Sequence, residues 1–145
     1  MNRLKTRAQF QAVLSGVTLA RTVHFALHST PLDTGKSYED IARRETLFPD
    51  HSVWMGAMVP KRWAKRAVTR NAIKRQVYNV SAQFEPSLSK SAHLVRLRTA
   101  FDRVQFVSAS STILKESVRA ELFQLFERAT AHHFEVGQTE PRHST

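Results

Sequence analysis

Between positions 61 and 75 the chain reads K-R-W-A-K-R-A-V-T-R-N-A-I-K-R, and seven of those fifteen residues are cationic with no carboxylate among them. Lys61, Arg62, Lys65, Arg66, Arg70, Lys74 and Arg75 can do electrostatic chemistry: guanidinium forks and ammonium points both grip phosphate oxygens. Such a run of like charges must face either solvent or a polyanion. Asn71 adds a side chain that donates and accepts, so it suits a sugar hydroxyl, a phosphate or a base edge. On a helix advancing about 100° per residue, Ile73, Val77, Val80 and Phe84 fall within about 60°, and Arg70, Lys74, Asn71 and Arg75 fill the adjoining arc of about 140°. One face can dock on a core while its neighbour presents donors.

Other chemistries find little support. The chain has no cysteine and only four glycines, which excludes disulfides, thiolate metal sites and thiol nucleophiles. No Ser/His/Asp order, zinc-ligand spacing or Gly-rich phosphate loop occurs. A protein nuclease needs clustered carboxylates for divalent metal, whereas the densest group here is only Glu39, Asp40 and Glu45. We expect no catalytic residue and no metal site; His132, His133 and His143 read as part of a polar tail.

The elements that must position the basic run follow from periodicity. The chain has 145 residues, 41% of them apolar, and a formal charge of +10. That size suits one domain, and that charge favours an anionic partner. No apolar run nears the roughly 20 residues of a membrane span and no signal-peptide core follows the basic N-terminus, so a soluble, cytoplasmic protein is expected.

Phe10, Val13, Leu14 and Val17 share an i, i+3, i+4, i+7 stripe, predicting a helix over 7–15 that Gly16 ends. Strands are expected at 23–29 and 53–59, with Pro60 closing the second. Between them 31–52 reads as a long excursion, with five acidic and three basic residues and space for a helical turn at 38–44. A helix is expected over 67–84, ended by Pro86 and serines. A strand with one wet face follows at 93–98, then an extended piece around Val104, Phe106 and Val107, a helix over 113–131, and a flexible polar tail at 132–145.

The run R-A-V-T-R-N-A-I-K-R at 66–75 resembles the R-N-R-x-K-R signature of the bacterial ribonuclease P protein component. The likeness extends to Arg3-Leu4-Lys5 with Phe10, and to Val59-Pro60-Lys61-Arg62, over roughly 1–30 and 53–131. Ala72 stands where the family usually has a second arginine; it points away from Arg70 and Lys74 and thins one edge of the array. The segment 31–52 looks like an insertion, an inserted loop within a domain spanning 1–131.

The resemblance implies a single-domain α/β sandwich of the ribosomal protein S5 domain 2-like type. It implies a mostly four-stranded sheet, about three helices and a left-handed βαβ crossover. It implies a subunit of ribonuclease P, bound 1:1 as a monomer to the catalytic RNA. That RNA performs the Mg2+-dependent removal of the 5′ leader from precursor tRNA. Lys61, Arg62, Lys65, Arg66, Arg70, Asn71, Lys74 and Arg75 are then the face for the catalytic RNA. Phe10, Leu14, Phe25, His28 and Met58 are the cleft for the leader, where stacking tolerates any base.

Two other readings of the residues stand beside this one. A structural RNA-binding protein of the basic ribosomal type would bind RNA without affecting tRNA cleavage. A DNA-binding regulator would use the 67–84 helix in the major groove, but a strand and Pro60 precede it where a helix-turn-helix needs a helix. A membrane-surface role is the weakest, since the basic helix lacks a wide apolar face.

Overall fold

The computed structural model describes residues 1–32, 37–101 and 112–143, and from 132 onward only as helix backbone. Along the chain these form β1 (Asn2–Arg3), α1 (Arg7–Leu14), β2 (Val17–Arg21), β3 (Phe25–Pro31), α2 (Tyr38–Leu47) and β4 (Trp54–Met58). There follow α3 (Ala67–Phe84), a 3-10 turn at Glu85–Ser87, β5 (Ser91–Leu97) and α4 (Thr112–His143). The five strands make one mixed sheet in the order β1-β4-β5-β3-β2. β1, β4 and β5 are parallel, whereas β3 runs antiparallel to both β5 and β2.

Helix α1 starts with a capping box. The Thr6 hydroxyl accepts the Gln9 N–H at 3.2 Å, and Gln9 Oε1 accepts the Thr6 N–H at 3.1 Å, an arrangement worth about 1 kcal/mol. Gln9 Nε2 also donates to the Leu47 carbonyl at 2.9 Å, tying α1 to the end of α2. The chain then turns at Gly16, where a Cβ would lie 2.1 Å from the Ser29 carbonyl oxygen. Only glycine allows that approach, and β2 begins at the next residue.

The fold departs from expectation at several points. The sheet has five strands instead of four, and four α-helices are described instead of about three. Val17 fits the helical stripe by spacing, yet it opens the edge strand β2 and is 62% exposed. The expected loop 31–52 holds α2, whose Ser37 cap accepts the Asp40 N–H and whose first turn carries Glu39 and Asp40, both suited to the helix dipole. The strand expected at 23–29 lies at Phe25–Pro31. Helix α4 continues beyond Ala131 to His143, running through Gly137 and Pro141. The extended piece expected around Val104, Phe106 and Val107 lies outside the described residues.

β5 sits between β4 and β3 and is packed on both faces, so its alternation does not mark a wet side. Ala92 and Leu94 join Leu4, Val13, Phe48 and Trp54 under α1. Val95 and Leu97 join Phe25, Leu27, Ile73, Val77, Leu122 and Phe126 under α3 and α4. On that same face His93 is 1% exposed; Ser89 O lies 3.0 Å from its Nε2. On α4, Glu121 accepts from the Thr22 hydroxyl at 2.6 Å and from the His24 N–H at 2.7 Å, anchoring the β2–β3 turn to the helix.

Burial pushes the His93 imidazole below its ordinary value, partly offset by the Ser89 carbonyl; burial with Arg96 and Arg21 nearby does the same to His28. A depressed histidine pKa means that the unfolded chain takes up protons which the folded one refuses. Stability from these groups is therefore full above about pH 6.5 and falls as pH drops below it, by at most about 1.4 kcal/mol per pH unit for each histidine. Urea unfolding from pH 7.5 to 5 should show that decline, and His93→Gln should flatten it. Parallel profiles for the two proteins would refute the assignment to His93.

Candidate nucleic-acid interface

The basic run leaves the sheet at the C-terminal end of β4. Pro60 ends the pairing, and its carbonyl accepts the N–H groups of Trp63 and Ala64, both at 3.1 Å, folding residues 60–64 into a tight turn. Helix α3 then starts at Ala67 with no side-chain cap and no acidic residue in its first turn, so its positive end is left uncompensated. Arg62 lies over the Trp63 ring, 5.1 Å from its centroid.

Lys61, Arg62, Lys65, Arg66, Asn71 and Arg75 are exposed, and Arg70 and Lys74 are half-buried. Ile73, Val77 and Val80 are buried beneath them, as the helical wheel requires. Among the described residues none of these cations enters an ion pair; the pairs found are Met1–Glu85, His24–Glu121 and Arg43–Asp40. The array is thus open to an external anion.

Arg70 is the exception in role. Its Nη1 donates to the carbonyls of Ala64 at 3.1 Å and Lys65 at 2.8 Å, holding the 60–66 turn against the first turn of α3. It organises the array as well as belonging to it.

The second predicted surface is divided by the sheet. Residues paired across neighbouring strands point to the same face. One such row is Met58–Arg96–Ala26–Arg21, and the next is Gly56–Leu94–His28–Thr18. Met58 and His28 therefore lie on the α1 face, where Phe10 and Leu14 pack half-buried beside Leu94 and Trp54. Phe25 does not. It is one residue out of phase with Ala26 and His28, wholly buried on the opposite face under α3 and α4. His28 is on the expected face but only 6% exposed, so its ring is no open stacking platform.

The structure adds residues that sequence reasoning passes over. Arg96 and Arg21 flank His28, and Arg3 lies 3.9 Å from the centre of the Tyr78 ring. Burial raises the Tyr78 phenol, against the opposing pull of Arg3. Arg96 could be found only from strand pairing, since in H-L-V-R-L-R it passes as the polar half of an alternation. The described residues hold no group of three or more His, Cys, Asp or Glu placed for a metal ion. No described helix is long and apolar enough to cross a membrane.

The ribonuclease P family matches residues 1–130. A ribonuclease P protein component of Bordetella parapertussis is 32% identical over 126 residues, covering 87% of this chain and 89% of that protein. One from Trichormus variabilis is 31% identical over 137 residues, covering 91% and 94%. A solved structure of the Staphylococcus aureus RNase P protein superposes with a TM-score of 0.60 at 18% identity, covering 89% of this chain and 95% of that one.

Replacing Arg70 by Ala should cost about 1.5–3 kcal/mol, the range for hydrogen bonds that involve a charged group, and should weaken RNA binding more than Arg75→Ala removes by charge alone. Urea unfolding and filter binding of both variants test this. Equal losses in stability and affinity would deny Arg70 a structural part.

Proposed function

The chain belongs to the ribonuclease P protein family, and from that premise we propose how its two surfaces divide the work. The protein is an RNA-binding accessory subunit that assists tRNA 5′ maturation; catalysis lies with the RNA subunit. The observation that carries the site reading is the uncompensated array on the 60–66 turn and α3. Seven cations there face outward or half-outward with no described carboxylate partner.

We assign Lys61, Arg62, Lys65, Arg66, Asn71, Lys74 and Arg75 to the catalytic RNA, with Arg70 shaping the turn they stand on. The α1 face of the sheet, lined by Phe10, Leu14 and Met58 with His28 at its floor, takes the single-stranded leader of precursor tRNA. Phe25 is left out because it lies on the other face. Apolar and aromatic rims suit unpaired bases, and flanking cations suit their backbone. Magnesium is assigned to the RNA, since hard divalent ions need clustered oxygen donors and the described carboxylates are scattered. The protein lowers the magnesium requirement by screening repulsion between two RNAs.

The β4–α3–β5 unit connects adjacent parallel strands. We take it as the left-handed crossover of an S5 domain 2-like fold, against the usual right-handed preference. The working unit is one protein per RNA, in the cytoplasm.

Single-turnover cleavage of a 5′-extended precursor tRNA by the matching catalytic RNA at low Mg2+ tests the whole reading. Rate or substrate affinity should rise steeply only when RNA and protein are both present, and the gain should fade with salt as counterion release dictates. RNA binding without that gain would leave a structural RNA-binding protein. Lys65, Lys74 and Arg75 changed together to Ala should weaken catalytic-RNA binding at least about tenfold, or ~1.4 kcal/mol spread over three contacts. A folded triple variant with full affinity would remove α3 from the interface.

A further inference from the structure

Arg96 stands in the middle strand of the sheet, at a position whose paired neighbours are Met58 and Ala26. A guanidinium on such an inner row loses hydration and must find acceptors. It finds one. Its Nε donates to His28 Nε2 at 3.2 Å, and His28 Nδ1 lies 3.2 Å from the Thr18 hydroxyl. Because an arginine Nε can only donate, the imidazole must offer Nε2 as a lone pair and carry its proton on Nδ1. It is therefore neutral. Burial, Arg96 and Arg21 all push the His28 pKa down, in keeping with that state.

The choice of partner has a consequence. A carboxylate in this place would satisfy the guanidinium but cancel its charge and repel any anion. A neutral imidazole fixes the orientation and leaves the charge whole. Arg96 is half-buried, and none of the described ion pairs involves it or Arg21. Arg21 belongs to the same row two strands away, about 10 Å along the sheet, and is exposed. Phe10, Leu14 and Met58 supply the apolar side of the same cleft. A stacking rim beside a fixed cation is the combination that holds single-stranded nucleic acid by base and by backbone at once.

We propose that Arg96, aimed by His28, is a phosphate-binding residue on the floor of this cleft, where it and the outer Arg21 hold the backbone of a single-stranded RNA segment. The inference rests on the assignment of this face to the precursor tRNA leader, and it names what recognises the leader's backbone in addition to its bases.

The test uses the assembled ribonucleoprotein with leader-bearing precursor tRNA and with mature tRNA, over a range of salt concentrations. Arg96→Ile should bind the precursor about tenfold more weakly and mature tRNA unchanged. The slope of log affinity against log salt should fall by about 0.7, the value for one phosphate contact to a single strand. Arg96→Lys should keep the slope while losing part of the affinity. His28→Phe should lower precursor affinity with the slope unchanged, since it removes only the acceptor. If Phe10→Ala abolishes the preference for a leader but Arg96→Ile leaves affinity and slope intact, the proposal falls and the cleft stands. If neither variant changes leader preference, the cleft assignment falls and takes the proposal with it. Equal weakening of precursor and mature tRNA, or a lowered melting temperature in Arg96→Ile, would make Arg96 a structural residue and overturn its role in binding.

Discussion

Helix α3 has to be held against a sheet while carrying a dense positive charge, and the angular separation of its two stripes makes that feasible. Ile73, Val77 and Val80 are buried along one line, and Ser81 beside them is small enough to be fully enclosed. Phe84 closes the stripe against the rings of Phe123 and Phe126, with centroids 5.7 Å and 5.4 Å away. The charged arc begins where the apolar one ends, so Arg70 and Lys74 sit half-buried at the seam. Moving the Lys74 cation back by one position, to 73, would put it into the core, where an unpaired charge costs several kcal/mol. The same packing decides where β4 must stop, where α4 must lie, and therefore which end of the sheet carries the basic turn.

The sheet converts that arrangement into two unlike faces. The α3–α4 side is sealed by large apolar side chains, and it also hides His93, a polar group with no role at any surface. The other side is covered by a helix only eight residues long. Under α1 Ala92 and Leu94 are fully buried, whereas Met58 and Arg96, farther along the same strands, keep partial exposure. A short helix on a five-stranded sheet leaves part of a face uncovered. The shortness has a physical origin in the close approach at Gly16, which turns the chain back into β2 before another turn of helix can form.

Elements stabilised by their own periodicity were legible in the sequence. Helix α3 lies at 67–84 as its stripe demands, and α1 and β4 fall within a residue or two of their expected limits. Elements that depend on partners were not. β2 exists because β3 pairs with it, and Val17 alone satisfies a helical spacing equally well. Alternation along H-L-V-R-L-R cannot distinguish a solvated face from a second packed one, because a central strand has the same period as an edge strand. For the same reason Phe25 and His28 could be proposed together from composition, although an odd separation of three residues in one strand puts them on opposite faces. The cations of the 61–75 run were evident from residue type, but the clamp that Arg70 forms on two carbonyls depends on a turn geometry that no spacing reveals.

A common device underlies the arginines. Among the described residues, Arg3, Arg62 and Arg119 lie against the rings of Tyr78, Trp63 and Phe123. Arg70, Arg98 and Arg128 donate to backbone carbonyls, and Arg96 to an imidazole. Among the described arginines only Arg43 approaches a carboxylate, Asp40, at 3.9 Å on the exposed surface of α2. Neutral acceptors and π faces order a guanidinium without discharging it. Pairing the same side chains with Asp or Glu would have relieved the self-repulsion of a chain at +10, but it would have left each cation with a competitor to be displaced before phosphate could bind. The fold instead tolerates an unrelieved field and lets the polyanion relieve it, so the repulsion that burdens the free protein becomes part of the driving force for assembly with RNA.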